Sequence, residues 1–430
     1  MDNLQTHWNC GSTHFSNQHI RDIRHLLSFL FLSFVLFFYI YSVSFPGLPS
    51  RVLSRRLAAI VFFVFAIIKN GGVYKHHTTT AVKEYSWFIK LHLALLLVSG
   101  ITIVWIGAGE GKSIISSYLE TVVFGTIAFY GIVHSFDSNE DFMKSVLLVS
   151  TIQCGVIISG TLSATFLSAL IRFADSQIWD LEHMASYGYA IGFGCMTSTG
   201  VFKLSLGLVA TDYCIAKNKN NIGLNILLFL LISVTMIAVA RTGFVLIILA
   251  LLALVAIILK ANPVKSLKIL AAILIAFGII LLLLLSTEIE TYFTTIFKRL
   301  LITVEDNSWG EFFDLYIGSE TTIIPRIGFW GELIISGTSG LGNQINVDGG
   351  FIKVFFAMGI PLAVFFYIFV SYLSLSIKRR EYSFDSCVIL FLFFAILMMG
   401  EFKEFFIEDV YFFAILMCYK HFLDKERTTI

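Results

Sequence analysis

Long apolar runs alternate with short polar segments along the chain, and this pattern predicts a set of membrane-spanning helices. Most runs approach the length of about 20 residues that crosses a bilayer core as a helix. The runs are continuous and do not alternate with polar residues, so a β-barrel is not expected. We predict twelve spans, at residues 26–45, 57–68, 88–106, 114–134, 146–167, 186–210, 222–240, 244–259, 269–286, 350–377, 384–399 and 405–422.

Composition supports the same fold class, an all-α polytopic integral membrane protein. Of 430 residues, 57% are hydrophobic and 14% are charged, against roughly 25% charged in soluble proteins. One soluble core could not bury so much apolar surface, which excludes a soluble enzyme. The net charge of +1 gives no general attraction to nucleic acid. Nucleotide-binding and metal-binding motifs are absent from the sequence, so no cofactor and no metal are expected.

The distribution of Lys and Arg predicts the orientation of the spans. With the N-terminus inside, most basic residues fall in inside segments, and the cluster at 378–380 is the firmest anchor. Both termini are then cytoplasmic. The segment 287–348, with 62 residues, becomes one large outside loop, which we expect to form short helices over the membrane face. The predicted divisions are 1–286 and 349–430 in the membrane, with the loop between them.

Arginines at the outside face are the first candidate site residues. Arg241 lies at the tip of a three-residue turn between two spans, and Arg326 in the large loop precedes Trp330 by one helical turn. A guanidinium suits bidentate contact with phosphate. A Gly-rich segment at 337–342 follows, and such segments let a backbone approach a ligand closely. Interfacial residues that only end or anchor a helix would give the same patterns, so both interpretations stay open.

Acidic residues near the outside ends of spans are the second group of candidates. Asp348 precedes span 350–377, where it could act chemically or serve only as a helix cap. Glu401 and Lys403 follow span 384–399, where they could bind a substrate or only solvate a turn. Within spans, Lys203 lies close enough to an end that we expect its ammonium group to reach the membrane surface.

Several of these segments resemble the O-antigen polymerase family (Wzy type), within the O-antigen polymerase and ligase superfamily. The resemblance rests on the tight turn with Arg241, the single large outside loop, and three short motifs. The motifs are Arg326 with Trp330 and GLGN at 340–343, DGGF at 348–351, and EFKE at 401–404. The similar part covers roughly residues 222–422, and the remainder is similar only as a hydrophobic scaffold.

Histidine placement separates the two branches of the superfamily. Ligases of this superfamily are expected to use a His in the large outside loop, and none of the ten His lies between 287 and 348. Arg299 and Arg326 both fit the Arg-x10-Gly spacing described for polymerases, although here both lie in one loop. The resemblance therefore favours a polymerase, with a ligase and a lipid-linked oligosaccharide flippase as alternatives.

The resemblance implies a reaction that joins oligosaccharide repeat units carried on undecaprenyl pyrophosphate, at the periplasmic face of the bacterial inner membrane. For this reaction we predict that Arg241 and Arg326 bind the pyrophosphate and that Asp348 acts as the base or binds the acceptor, with Glu332 and Glu401 as further candidates for the role of Asp348. A chain-length regulator protein and membrane lipids are candidate partners, and no nucleic acid is expected. The remaining candidates for substrate binding are Arg172, Arg299, Trp330, Glu332, Glu401 and Lys403.

Overall fold

The computed structural model confirms the all-α class: its described segments are helical, with no β-strand among them. The described residues are 10–43, 54–72, 79–106, 119–173, 192–193, 197–217, 221–240, 242–261, 350–351, 354, 360–376, 382–403 and 410–428.

Twelve α-helices lie in these segments, and a π-helical turn at Thr121–Gly125 leads into the fourth. They are α1 Cys10–Ile40, α2 Ser54–Asn70, α3 Thr80–Ile106, α4 Thr126–Ser135, α5 Asn139–Leu162, α6 Ala164–Phe173, α7 Thr197–Lys217, α8 Ile222–Val239, α9 Gly243–Ala261, α10 Ile360–Leu375, α11 Phe384–Lys403 and α12 Val410–Thr428.

Five of these helices contain stretches long and apolar enough to cross a bilayer, which confirms a membrane-embedded protein. The stretches are Asp22–Ile40, Asn139–Leu162, Ile222–Val239, Gly243–Lys260 and Phe384–Phe402. The predicted span 269–286 and the predicted loop 287–348 lie outside the described residues. The number of twelve spans and the large outside loop therefore stay predictions.

Local sequence signals set several helix ends. At the start of α5, the Ser138 hydroxyl accepts the Asp141 N–H at 3.1 Å, a helix N-cap. At the end of α2, Gly71 has φ +67°, which a residue without a Cβ adopts at little cost. The N–H groups of Gly71 and Gly72 donate to the carbonyls of Ile68 and Ile67, forming a Schellman motif.

Two predicted spans differ from the observed helices. Span 146–167 is two helices, because the chain leaves helical geometry at Ser163, whose hydroxyl accepts the Phe166 N–H of α6 at 3.3 Å. Span 186–210 is displaced, because α7 continues to Lys217. The apolar run ends before Asp212, yet Asp212 is fully buried, so burial inside the protein continues beyond the apolar run.

Two helices, α7 and α12, are enclosed by the others on every side. Residues 200–215 of α7 and 411–424 of α12 are all buried. Helix α7 packs against α5, α8, α9 and α11, whereas α12 packs against α3, α4 and α11. One hydrophobic core joins residues from α1 through α12, so the helices after the predicted loop complete the core of those before it.

A close helix crossing joins α2 to α4 at Gly131. A Cβ added to this glycine would lie 2.7 Å from the Phe62 backbone, nearer than real Cβ atoms approach. The crossing therefore requires glycine at this position.

We predict that Gly131→Ala destabilises the protein by about 1–3 kcal/mol, because it overpacks the crossing. Alanine otherwise favours a helix interior by about 1 kcal/mol over glycine. The matched control is Gly155→Ala in α5, where an added Cβ meets nothing within 4 Å. Thermal unfolding of the purified protein should show a lower stability for Gly131→Ala than for Gly155→Ala. Equal stability changes in the two variants would contradict the close contact of α2 and α4 at Gly131.

Candidate functional site

A cluster of charged and aromatic side chains forms where α2, α7 and α12 begin. The Arg55 guanidinium carbon lies 4.4 Å from the centroid of the Tyr411 ring. The Lys203 ammonium nitrogen lies 5.6 Å from the same centroid. We call Arg55, Lys203 and Tyr411 the Tyr411 cluster. Three distant parts of the chain thus bring two cations to one buried ring.

Burial gives this cluster its electrostatic character. Tyr411 is 1% exposed and Lys203 is 4% exposed, so neither is surrounded by bulk water. The electron-rich face of an aromatic ring attracts cations, and more strongly where water is excluded. The prediction that the Lys203 ammonium reaches the membrane surface is wrong, because Lys203 is buried inside the protein and its ammonium faces the Tyr411 ring.

Hydrogen bonds between helices fix the backbone on both sides of the cluster. The Tyr41 hydroxyl donates to the Ser150 hydroxyl at 3.3 Å and to the Lys203 carbonyl at 3.5 Å. Beside Arg55, the Ser54 hydroxyl accepts the Val43 N–H at 2.6 Å. The residues that follow α1 therefore contact the first turn of α2 and the first part of α7, the two segments that carry Arg55 and Lys203.

Arg56, the next residue, takes part in a separate ion pair. Its Nε and Nη2 donate to the two carboxylate oxygens of Glu120 at 2.8 and 2.5 Å, a bidentate arrangement. Its guanidinium carbon also lies 5.8 Å from the Phe124 ring centroid. The adjacent arginines therefore differ in role, since Arg56 joins α2 to the segment before α4 whereas Arg55 faces α12.

A carboxylate lies at the same end of the bundle, in the last turn of α11. Glu401 is fully buried and accepts a hydrogen bond of 2.6 Å from the Tyr367 hydroxyl of α10. The Phe351 ring lies 4.6 Å from the Tyr367 ring, centroid to centroid. Only residues 404–409 separate α11 from α12, so Glu401 lies on the same side of the bundle as the Tyr411 cluster.

Of the candidate residues from the sequence, Glu401 is the one whose side chain the structure describes. Arg172 and Lys403 lie in α6 and α11, with side chains outside the described set. The helices on either side of Arg241 end at Val239 and begin at Gly243, which agrees with the predicted three-residue connection. The candidates outside the described residues are Arg241, Arg299, Arg326, Trp330, Glu332 and Asp348.

Sequence reasoning missed Arg55 and Tyr411 as site residues. Arg55 could have been found, because it belongs to an Arg-Arg pair at the start of a predicted outside-to-inside span. Nothing in the sequence distinguishes Tyr411 from the other fifteen tyrosines. Its role depends on contacts with residues more than 200 positions earlier.

Comparison with protein-family models, curated proteins and solved structures finds no match to this chain.

The described residues contain no group of three or more His, Cys, Asp or Glu side chains that could hold a metal ion. The groups gathered at this end of the bundle are two cations and a phenol, with the Glu401 carboxylate on the same side. Such groups can bind a phosphate and polar hydroxyls.

We predict that removing the Tyr411 ring destabilises the protein, because Arg55 and Lys203 then lose their cation–π contacts. In a double-mutant cycle, Tyr411→Leu should cost about 1–2 kcal/mol more in the wild-type background than in the Arg55→Met/Lys203→Met background, because a desolvated cation–π contact is worth about that much. Tyr411→Phe keeps the ring and should be close to wild type. Thermal unfolding measures each stability, and an equal cost in both backgrounds would contradict the electrostatic role of the ring.

Proposed function

We propose that this protein is a polymerase of lipid-linked oligosaccharides, which builds O-antigen or a related surface polysaccharide at the periplasmic face of the inner membrane. The observation that carries the proposal is the Tyr411 cluster, which gathers two cations at one end of a membrane-embedded bundle. The distribution of Lys and Arg assigns this end to the outside. The motifs around Arg326, Asp348 and Glu401 support the same activity.

The proposed reaction transfers the growing glycan from one lipid carrier to the next repeat unit. A hydroxyl oxygen of the lipid-linked acceptor attacks the anomeric carbon of the donor glycan. The bond from that carbon to the pyrophosphate oxygen breaks, undecaprenyl pyrophosphate leaves, and the hydroxyl proton passes to a base. The carrier pyrophosphate is the activating group, so this reaction needs neither a nucleotide nor a metal.

Cationic groups serve this reaction by stabilising the charge that develops on the leaving pyrophosphate. Arg55 and Lys203 join Arg241 and Arg326 as candidates for that role. Arg172 and Arg299 are further candidates from the sequence. A guanidinium can contact two phosphate oxygens at once, whereas an ammonium acts as a point charge, so the pair in the cluster combines both kinds of contact.

A carboxylate serves the acceptor by taking its proton or by holding its hydroxyls. Asp348 is the proposed base. Glu401, with its hydrogen bond from Tyr367, is proposed to bind the acceptor sugar. Phe351, whose ring lies 4.6 Å from the Tyr367 ring, follows the proposed base Asp348 by three positions in the sequence. Trp330, Glu332 and Lys403 complete the proposed sugar-binding set.

A flippase for the same lipid-linked oligosaccharide is the second candidate function. Transporters carry ionisable residues inside their spans, and α7 buries both Lys203 and Asp212. The two oxygens of Asp212 have no hydrogen-bond partner within the described part of the chain. A deletion strain separates the functions: loss of a polymerase leaves lipid A–core capped with one repeat unit, whereas loss of a flippase leaves no repeat unit.

We predict that Arg55→Ala and Lys203→Ala, expressed in the deletion strain, abolish the ladder of polysaccharide lengths on a gel and leave single capped units. Removing a donor to the developing charge typically slows such a reaction by about 100-fold or more. The control is Lys144→Ala, whose ammonium pairs with Glu140 at 2.5 Å in the first turns of α5. Membrane levels of each variant are compared by immunoblot. Normal ladders in both cluster variants would contradict the proposed roles.

A further inference from the structure

The other end of the bundle holds a second polar network, in which α12 binds the ends of two other helices. Lys420 of α12 forms an ion pair with Glu84 of α3, and the two residues are 4% and 7% exposed. The Lys420 ammonium also donates to the Leu373 carbonyl at 2.5 Å and to the Ser376 hydroxyl at 3.2 Å. Ser376 in turn donates to Glu84. One ammonium thus joins the first part of α3 to the last turn of α10.

One turn further along α12, a carboxylate binds the beginning of α3. Asp424 accepts the Ala81 N–H at 3.0 Å and the Tyr382 hydroxyl. Between these charges, the His421 Nδ1 lies 3.0 Å from the Thr79 hydroxyl. Thr79 also accepts the Val82 N–H at 3.3 Å, as the N-cap of α3. The whole first turn of α3 is therefore held by α12.

The signs of the charges match the helix ends that they contact. The first turn of a helix carries partial positive charge and the last turn partial negative charge. Asp424 lies at the first turn of α3, whereas Lys420 lies at the last turn of α10. Both side chains satisfy backbone groups that a helix end leaves without an internal partner. The network therefore contains hydrogen bonds to two helix ends in addition to one ion pair, and these bonds require this arrangement of three helices.

The partners in this network are far apart along the chain. Glu84 and Lys420 are separated by 336 positions, and α12 is the last described helix. A buried carboxylate without its cation is strongly unfavourable. In the finished protein, the buried position of Glu84 therefore depends on the helix that is synthesised after the others.

We propose that α12 is the locking helix of the bundle. Docking of Lys420 and Asp424 fixes the adjoining ends of α3 and α10, and a chain in which this docking fails stays open at that end and is degraded. The lock concerns assembly and does not rest on the proposed function, so each can fail without the other.

The test measures the cellular lifetime of full-length variants after synthesis is stopped, together with thermal unfolding of the surviving protein. Lys420→Met leaves Glu84 without its cation and should shorten the lifetime several-fold. Lys420→Met combined with Glu84→Gln removes the unpaired buried charge but still leaves the Leu373 carbonyl of α10 without its ammonium donor. The double variant should therefore recover part of the lifetime and stay shorter-lived than wild type. The control is Lys144→Met, which removes a half-exposed lysine from its pair with Glu140.

An unchanged lifetime for Lys420→Met would overturn the lock. A double variant as short-lived as the single variant would also overturn it, because general packing rather than Glu84 would then be responsible. The charge exchange Glu84→Lys with Lys420→Glu adds a further test. A carboxylate at position 420 would face the Leu373 carbonyl oxygen, so the exchange should fail to restore the lifetime. Full restoration would show that α10 is not part of the lock.

Discussion

Three buried charged side chains of α7 and α12 meet partners on other helices, and these contacts organise the protein. Both α7 and α12 are enclosed on all sides, yet they carry Lys203, Lys420 and Asp424. Each of these three contacts a helix distant in the chain. Hydrophobic packing has no preferred direction, whereas these polar contacts allow few arrangements. They therefore determine which helices are in contact and how these helices are positioned relative to one another along their axes.

The two enclosed helices run in the same direction, with their first turns at the same end. Lys203 meets Tyr411 near their beginnings. Further along, the Tyr213 and Tyr419 rings lie 6.1 Å apart, centroid to centroid. Because a helix is stiff, the network around Lys420 also sets the position of Tyr411 on the same helix. In this account, the polar contacts at one end support the geometry of the cation site at the other.

Apolar runs predicted the helices well where the segment is apolar along its whole length. The span predicted at 222–240 agrees with α8, and the span predicted at 384–399 lies within α11. The prediction was poorer for α7, because Asp212 looks like the end of a span when burial inside protein is not considered. Hydropathy along the chain registers a polar residue but not the helices that surround it.

The sequence pointed to arginines at the outside ends of spans as pyrophosphate-binding residues, and that role stays a prediction. The Tyr411 cluster is made of other residues, which the sequence did not indicate as a group. Arg55 belongs to a visible basic pair, whereas Tyr411 acquires its role only when folding brings its ring to Arg55 and Lys203. Contacts between residues hundreds of positions apart leave no local pattern in one sequence.

Reconstitution of the purified protein tests the proposed activity most directly. Proteoliposomes containing the protein would be supplied with an undecaprenyl-pyrophosphate-linked repeat unit. The glycan products would be separated by length, and the released undecaprenyl pyrophosphate would be quantified. A polymerase should give a ladder of glycans, with one carrier released for every bond formed. Movement of the lipid-linked unit across the bilayer without any lengthening would contradict it and would favour the flippase.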